Sequence, residues 1–281
     1  MLARAKVNLY LHVTGKRADG YHLLDSLIVF AETGDEIAVR AGDDLSLTID
    51  GPFGAGLDAG PSNLVLRAAE GLRTLTGVKK GAAIRLTKNL PIASGIGGGS
   101  ADAATTLLAL IDLWQVKPDR TALYALAEKL GADVPVCLDG HPSFVGGIGE
   151  DIQPAGDLPT THILLVNPLV ETPTPAVFKA RSGDFSPAAR WAQPPKSSRE
   201  LAGFLATRKN DLTAPAIVVA PIVADVLSAI AETKDCLLSR LSGSGATCFG
   251  IFETAATAEA ARQHIKSHYP NWWAVAAKIA G

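Results

Sequence analysis

The chain has 281 residues, of which 47% are hydrophobic and 19% charged, enough apolar content to bury one large core or two ordinary ones. A formal net charge of -2 argues against a surface built for polyanions, so nucleic acid is not an expected partner and any anion binding should be local. Cys137, Cys236 and Cys248 are an odd number and share no metal-ligand spacing with one another or with the histidines, which fits a reducing cytoplasm better than a disulfide framework or a metal site.

Arg4 and Lys6 fall where the apolar part of a secretory signal would lie, so none is expected and the location is read as cytoplasmic. Residues 3–13 alternate, with Val7, Leu9, Leu11 and Val13 on one face and Lys6, Asn8, Tyr10 and His12 on the other, which predicts a half-buried strand. A turn at 15–20 leads to a strand at 24–30, and Gly34-Asp35 predicts a second turn into a strand at 36–40. A strand is expected at 45–49, a helix at 63–76 capped by Ser62 or Asn63, and a strand at 83–88. Helices follow at 100–114 and from Pro118-Asp119 to Gly131, then a loop containing Gly146-Gly147-Ile148-Gly149-Glu150. The buried strand 162–168 opens the second half, followed by a short helix from Pro173 to Phe178 and an irregular stretch over 181–198. Helices at 200–207 and 215–232, a strand at 248–252, a helix at 255–267 and a strand at 272–279 complete an α+β pattern without repeats. Residues 212–231 hold a single charge, Asp225, but Pro215, Pro221 and an Ala/Val-rich composition predict a buried helix rather than a membrane span, and no membrane partner is expected.

The most informative stretch runs from Leu90 to Ala104. Pro91, Ile92, Ala93, Ser94, Gly95, Ile96, Gly97, Gly98 and Gly99 lead directly into the helix that starts near Ser100 and Ala101. Glycines remove every Cβ from the turn, letting backbone N–H groups converge on a hollow that a bulky anion can approach. The helix that follows presents its unpaired N–H groups and the positive end of its dipole to the same place. Together these features predict a phosphate cradle. The plainer reading is a Gly-rich turn with Ser100 or Asp102 as a helix cap. No G-x-x-x-x-G-K-[ST] occurs, and G-x-G-x-x-G fails because Ser100 stands at its third glycine.

This loop resembles the ATP-phosphate loop of the GHMP kinase superfamily. Lys6-x-Asn8-Leu9-x-Leu11 and Leu241-Ser242-Gly243-Ser244-Gly245-Ala246-Thr247 resemble the superfamily's other two motifs, in the right order. Five further stretches are similar to the branch whose acceptor is 4-diphosphocytidyl-2-C-methyl-D-erythritol: Thr14 to His22, Leu130 to Pro135, Gly147 to Glu150, Pro173-Thr174-Pro175 with Phe178, and Asn210-Asp211-Leu212. The resemblance implies a two-domain fold, an N-terminal domain like ribosomal protein S5 domain 2 over 1–157 and a ferredoxin-like C-terminal domain over 158–281, with the active site between them. It implies transfer of the ATP γ-phosphoryl to the acceptor's 2-hydroxyl in non-mevalonate isoprenoid synthesis, by a monomer or homodimer whose partners are ATP and the small cytidylyl substrate.

The same resemblance assigns roles. Asp133 becomes the base and Lys6 the cation beside the transferring phosphate; otherwise Asp133 reads as a cap for a helix near Val134-Pro135, and Lys6 as a surface lysine. Tyr21 and Phe178 would stack on the two faces of cytosine while His22 bonds its edge, and Asn8 and Thr174 would hold the rest of the acceptor. Asn63 would lie on the adenine side, with residues 91–101 around the phosphates. Mg²⁺ would arrive with ATP; Glu128 lacks a matching context as its ligand, no protein metal set is expected, and Ser100 is the sole candidate oxygen. Two rival readings share the loop, an ATP-dependent mevalonate diphosphate decarboxylase and a nucleotide-binding module without catalysis. The first has no need of Asp19-Gly20-Tyr21-His22, and the second has no reason to keep both Lys6 and Asp133.

Overall fold

A computed structural model describes residues 1–280. The first half comprises strands β1 (Leu2–Lys16), β2 (His22–Gly42) and β3 (Leu45–Asp50), helix α1 (Leu64–Thr76), strand β4 (Gly81–Thr87), and helices α2 (Gly98–Trp114), α3 (Arg120–Leu130) and α4 (Val134–Asp139). Then come strands β5 (Ser143–Gly147), β6 (Asp151–Pro154) and β7 (His162–Asn167), and helices α5 (Thr174–Ala180), α6 (Ser198–Ala206), α7 (Thr213–Val219) and α8 (Ile222–Ala231). Strands β8 (Leu238–Leu241) and β9 (Cys248–Phe252), helix α9 (Ala255–His268) and strand β10 (Trp273–Lys278) close the chain.

Packing divides the chain into two units that interleave in sequence. One comprises 1–5, 33–92 and 97–140; the other comprises 6–32, 93–96 and 141–281. In the first, β4 pairs antiparallel with the Glu36–Gly42 half of β2 and parallel with β3. Helices α1 and α2 cover this sheet, and Leu72, Leu86, Leu107, Leu110 and Trp114 are among the side chains of one buried cluster. Asn63 caps α1 by accepting from the Val65 N–H at 2.9 Å, as its position before an apolar periodic run predicts.

In the second unit the other half of β2, Leu24–Ile28, pairs with β5, which pairs in turn with β6. Its second sheet is antiparallel in the order β10-β7-β9-β8, the ferredoxin-like arrangement expected for the C-terminal domain. Leu11 and Val13 of β1 join Val166, Val223, Phe252 and Ile265 in this unit's own core. The segment between α5 and α6 has no regular structure but is firmly tied down. Arg190 bridges Asp25 and Asp151, each at 2.9 Å, and the Trp191 ring packs edge-on against Phe144 and Phe204.

Three expectations are corrected. Gly34-Asp35 is not a turn, since β2 runs unbroken through it: Gly34 is needed because any Cβ there would collide with the Ala3 carbonyl. The single helix expected over 215–232 is two, broken around Ala220-Pro221, and no helix among the described residues is long and apolar enough to cross a membrane. The glycine stretch 146–150 lies partly in β5 and in the turn to β6, a hairpin whose short strands carry little alternation.

Candidate active site

Helix α2 begins at Gly98, two residues ahead of the expected start, on Gly97 in the left-handed region at φ 67° and with no side-chain cap. Neither Ser100 nor Asp102 caps it. The first-turn N–H groups are therefore left for something else, and a Cβ added at the exposed Gly99 would meet no atom within 4 Å. Gly98 is different, because a Cβ there would sit 2.9 Å from the Lys88 ammonium.

Beneath this turn lies a buried cluster that the sequence reading passed over. Lys88 Nζ donates to Asp35 and, at 2.9 Å, to Asp102 Oδ2, while Asp102 Oδ1 is buried without a hydrogen-bond partner. Burial pushes the Asp102 carboxyl up to about 7, with Lys88 opposing and Asp35 adding to the rise. Burial works against the charge of Lys88, yet the two carboxylates outweigh it and leave its pKa raised. The signal that could have found Asp35 was its place in a long apolar strand, masked by the Gly-Asp pair.

The first part of the glycine stretch, residues 93–96, belongs to the second unit and is stitched to the Ser242–Gly245 turn. Ser242 Oγ donates to the Gly95 carbonyl at 3.0 Å, and the Thr247 N–H donates to the Ser94 carbonyl at 3.1 Å. Gly95 has φ 75°, and a Cβ on it would lie 2.7 Å from two carbonyl oxygens, those of Ser242 and Gly245. Lys6 joins this assembly through its own N–H, which donates to the Ile96 carbonyl at 2.9 Å. It is not a surface lysine: it is 5% exposed, and its ammonium donates to Asn8 Oδ1 at 3.1 Å. Asn8 is fixed in turn by Ser242 Oγ on its N–H and by Ser26 Oγ, which accepts from its amide at 2.8 Å.

Asp133 occupies the N-cap position of α4, but its carboxylate makes no capping bond, which removes the plainer reading of that residue. Helix α4 packs on α2 within the first unit. Asn63 is largely spent on its cap: Oδ1 accepts from Val65, and Nδ2 donates to the Asp58 carbonyl at 2.7 Å. On the acceptor side, Thr174 Oγ1 and Ser244 Oγ share a hydrogen bond of 2.7 Å. His22 and Phe178 are brought together, their rings stacked at 5.0 Å with an interplanar angle of 24°, while Tyr21 is 63% exposed. The imidazole thus already covers one face of Phe178. Burial first, then Lys16 and Arg181, hold the His22 pKa below its ordinary value.

Comparison with known proteins decides the family. The GHMP kinases N terminal domain family matches residues 63–141, and the GHMP kinases C terminal family matches 195–271. A 4-diphosphocytidyl-2-C-methyl-D-erythritol kinase from Paramagnetospirillum magneticum is 54% identical over 277 residues, covering 99% of this chain and 97% of its own. One from Cereibacter sphaeroides is 51% identical over 281 residues, covering 99% and 98%. The chain belongs to the 4-diphosphocytidyl-2-C-methyl-D-erythritol kinase family. A crystal structure of a 4-(cytidine 5'-diphospho)-2C-methyl-D-erythritol kinase superposes with TM-score 0.84 at 33% identity, covering 100% of this chain and 99% of that one. A homoserine kinase from Cytophaga hutchinsonii, TM-score 0.69 at 20% identity, shares the fold across 99% of this chain and 92% of its own. The expected α+β GHMP kinase fold is therefore present, and as a member of this kinase family the chain is a phosphotransferase.

Proposed function

We propose that this chain transfers the γ-phosphoryl group of ATP to the 2-hydroxyl of 4-diphosphocytidyl-2-C-methyl-D-erythritol, giving the 2-phosphate. The observation that carries the phosphate side is the uncapped, glycine-lined start of α2, whose free N–H groups and positive dipole suit a triphosphate. The acceptor is the one that relatives 47–54% identical to this chain are named for. Decarboxylation of mevalonate diphosphate is disfavoured, because relatives 47–54% identical over nearly the whole chain are named as kinases of the cytidylyl acceptor.

Phosphoryl transfer asks the protein mainly for positioning and charge stabilisation. Asp133, at the start of α4, takes the proton of the 2-hydroxyl as that oxygen bonds to phosphorus and ADP leaves. Lys6, aimed by Asn8, faces the charge that develops on the transferring group. Thr174 holds the acceptor's diphosphate, and His22, Phe178 and Tyr21 hold its base. Mg²⁺ would arrive with ATP, held by phosphate oxygens and water as that ion usually is. Bound there it would neutralise the phosphate oxygens, with the Ser100 hydroxyl as the protein's contribution.

A coupled assay of ADP release tests the reading. Release that depends on the cytidylyl acceptor is the expected result. Release independent of that acceptor, or driven by mevalonate diphosphate, would overturn it.

A further inference from the structure

The Asp35–Lys88–Asp102 cluster touches both ends of the glycine stretch within the first unit. At the upstream end, Asp35 Oδ1 accepts from the N–H groups of Asn89 at 2.6 Å and Leu90 at 2.8 Å, the last residues before Pro91. Its other oxygen accepts from the Lys88 ammonium, which lies under the Gly98 turn and donates onward to Asp102, one turn into α2. The three side chains come from β2, from the residue after β4, and from α2, and all are buried.

Stability alone does not account for such a cluster. Removing three ionic groups from water is costly, and an apolar trio of similar volume usually stabilises a fold at least as well. What directed, charge-assisted hydrogen bonds add is fixed geometry. Here that geometry is the spacing between the Asn89-Leu90 backbone and the first turn of α2, which otherwise has no side-chain cap to hold it.

We propose that Asp35, Lys88 and Asp102 are positioning residues for ATP, closing the base of the phosphate loop so that the N–H groups of α2 stand where the phosphates need them. None of them touches the nucleotide. The inference rests on the reading of residues 91–101 as the ATP site, and the controls separate the two.

Three substitutions each keep a charge-balanced pair in the core. Asp35→Asn can retain both bonds from Asn89 and Leu90 at its single oxygen, but turns an amide toward the Lys88 ammonium. Asp102→Leu leaves Lys88 with Asp35 alone, and Asp102→Asn restores an oxygen facing Lys88. The readouts are circular dichroism, equilibrium ATP binding, and the KM of each substrate alongside kcat. We expect folded Asp35→Asn and Asp102→Leu enzymes with the KM for ATP raised roughly tenfold or more, the scale of a small misplacement. The acceptor KM should stay within about twofold, as befits loss at one site only. Asp102→Asn should recover most of the ATP affinity. An unchanged KM for ATP in the folded variants, parallel losses for both substrates, or loss of folding in both Asp35→Asn and Asp102→Leu would overturn the proposal. Gly99→Val serves as the control for the site itself: if it too leaves ATP binding intact, the loop assignment fails, whereas ATP loss in Gly99→Val alone rejects only the positioning role.

Discussion

His22 and Phe178 are stacked on one another, so a base cannot occupy the Phe178 face that the imidazole covers. The two residues therefore act as one unit, and their substitutions should not add. Phe178→Ala is expected to weaken the cytidylyl acceptor by about 1–3 kcal/mol, the range for base–aromatic stacking. The double variant with His22→Ala should lose less than the sum of the single losses, and acceptor KM measured across the four proteins checks this. Simple additivity would show that the rings act independently. The His22 pKa lies below the ordinary value of 6.5, so the ring is neutral at pH 7, with one donor and one acceptor nitrogen. Because the folded-state value is depressed, the neutral site is fully present above the ordinary histidine pKa and is lost as pH falls through the folded value. Acceptor KM should thus be flat from pH 7 to 8 and rise only on acidification, and a rise toward alkaline pH would contradict the assignment. Asp133→Asn is a separate test. An isosteric amide keeps the size of the side chain, so the variant should stay folded and bind ATP while turnover falls about 10²-fold or more, the scale of a lost general base. Near-normal turnover would remove Asp133 as the base.

Among the elements, α2 carries the most specific expectation. The two glycines of its first turn are not equivalent: Gly98 sits over the Lys88 ammonium, whereas Gly99 looks into open space. Gly99→Val should therefore abolish ATP binding with little change in melting temperature, while Gly98→Val should lose both, since its side chain must displace Lys88. Equal effects at the two positions would mean that the loop is read wrongly. This element also shows what the sequence could and could not convey. The phosphate loop was legible because its chemistry is local: glycines, a proline and a helix start lie within fifteen or so residues. Asp35 and Lys88 were not legible, because their meaning comes from a partner on another element. The same holds for Gly34, whose smallness signals a close approach by Ala3 rather than a turn. Lys6 read as exposed on the polar face of a strand, yet that face is buried in this protein, and only the family resemblance pointed to it. The break between α7 and α8 was visible in Pro221 and was passed over because hydrophobicity continues across it.

On the scale of the whole molecule, a cut at 157/158 would keep the whole first unit on one side but divide the second, whose core includes Leu11 and Val13 as well as the C-terminal sheet. The fragment 158–281 alone should therefore be poorly packed and bind a hydrophobic dye, and adding fragment 1–157 should suppress that binding. An independently folded, dye-silent C-terminal fragment would show that β1 is dispensable to that core. The same threading bears on how the protein is born. The Leu11 backbone bridges to Asn210, the Val13 N–H donates to Asp211 at 2.7 Å, and Ala31 bridges to Ile279. A nascent chain thus exposes its apolar first strand long before its partners have left the ribosome. At about 5–20 residues per second, the wait for Asn210 alone is roughly 10–40 s. That interval is long enough for a holdase to matter, so the yield of active enzyme should track chaperone supply more closely than its finished stability would suggest.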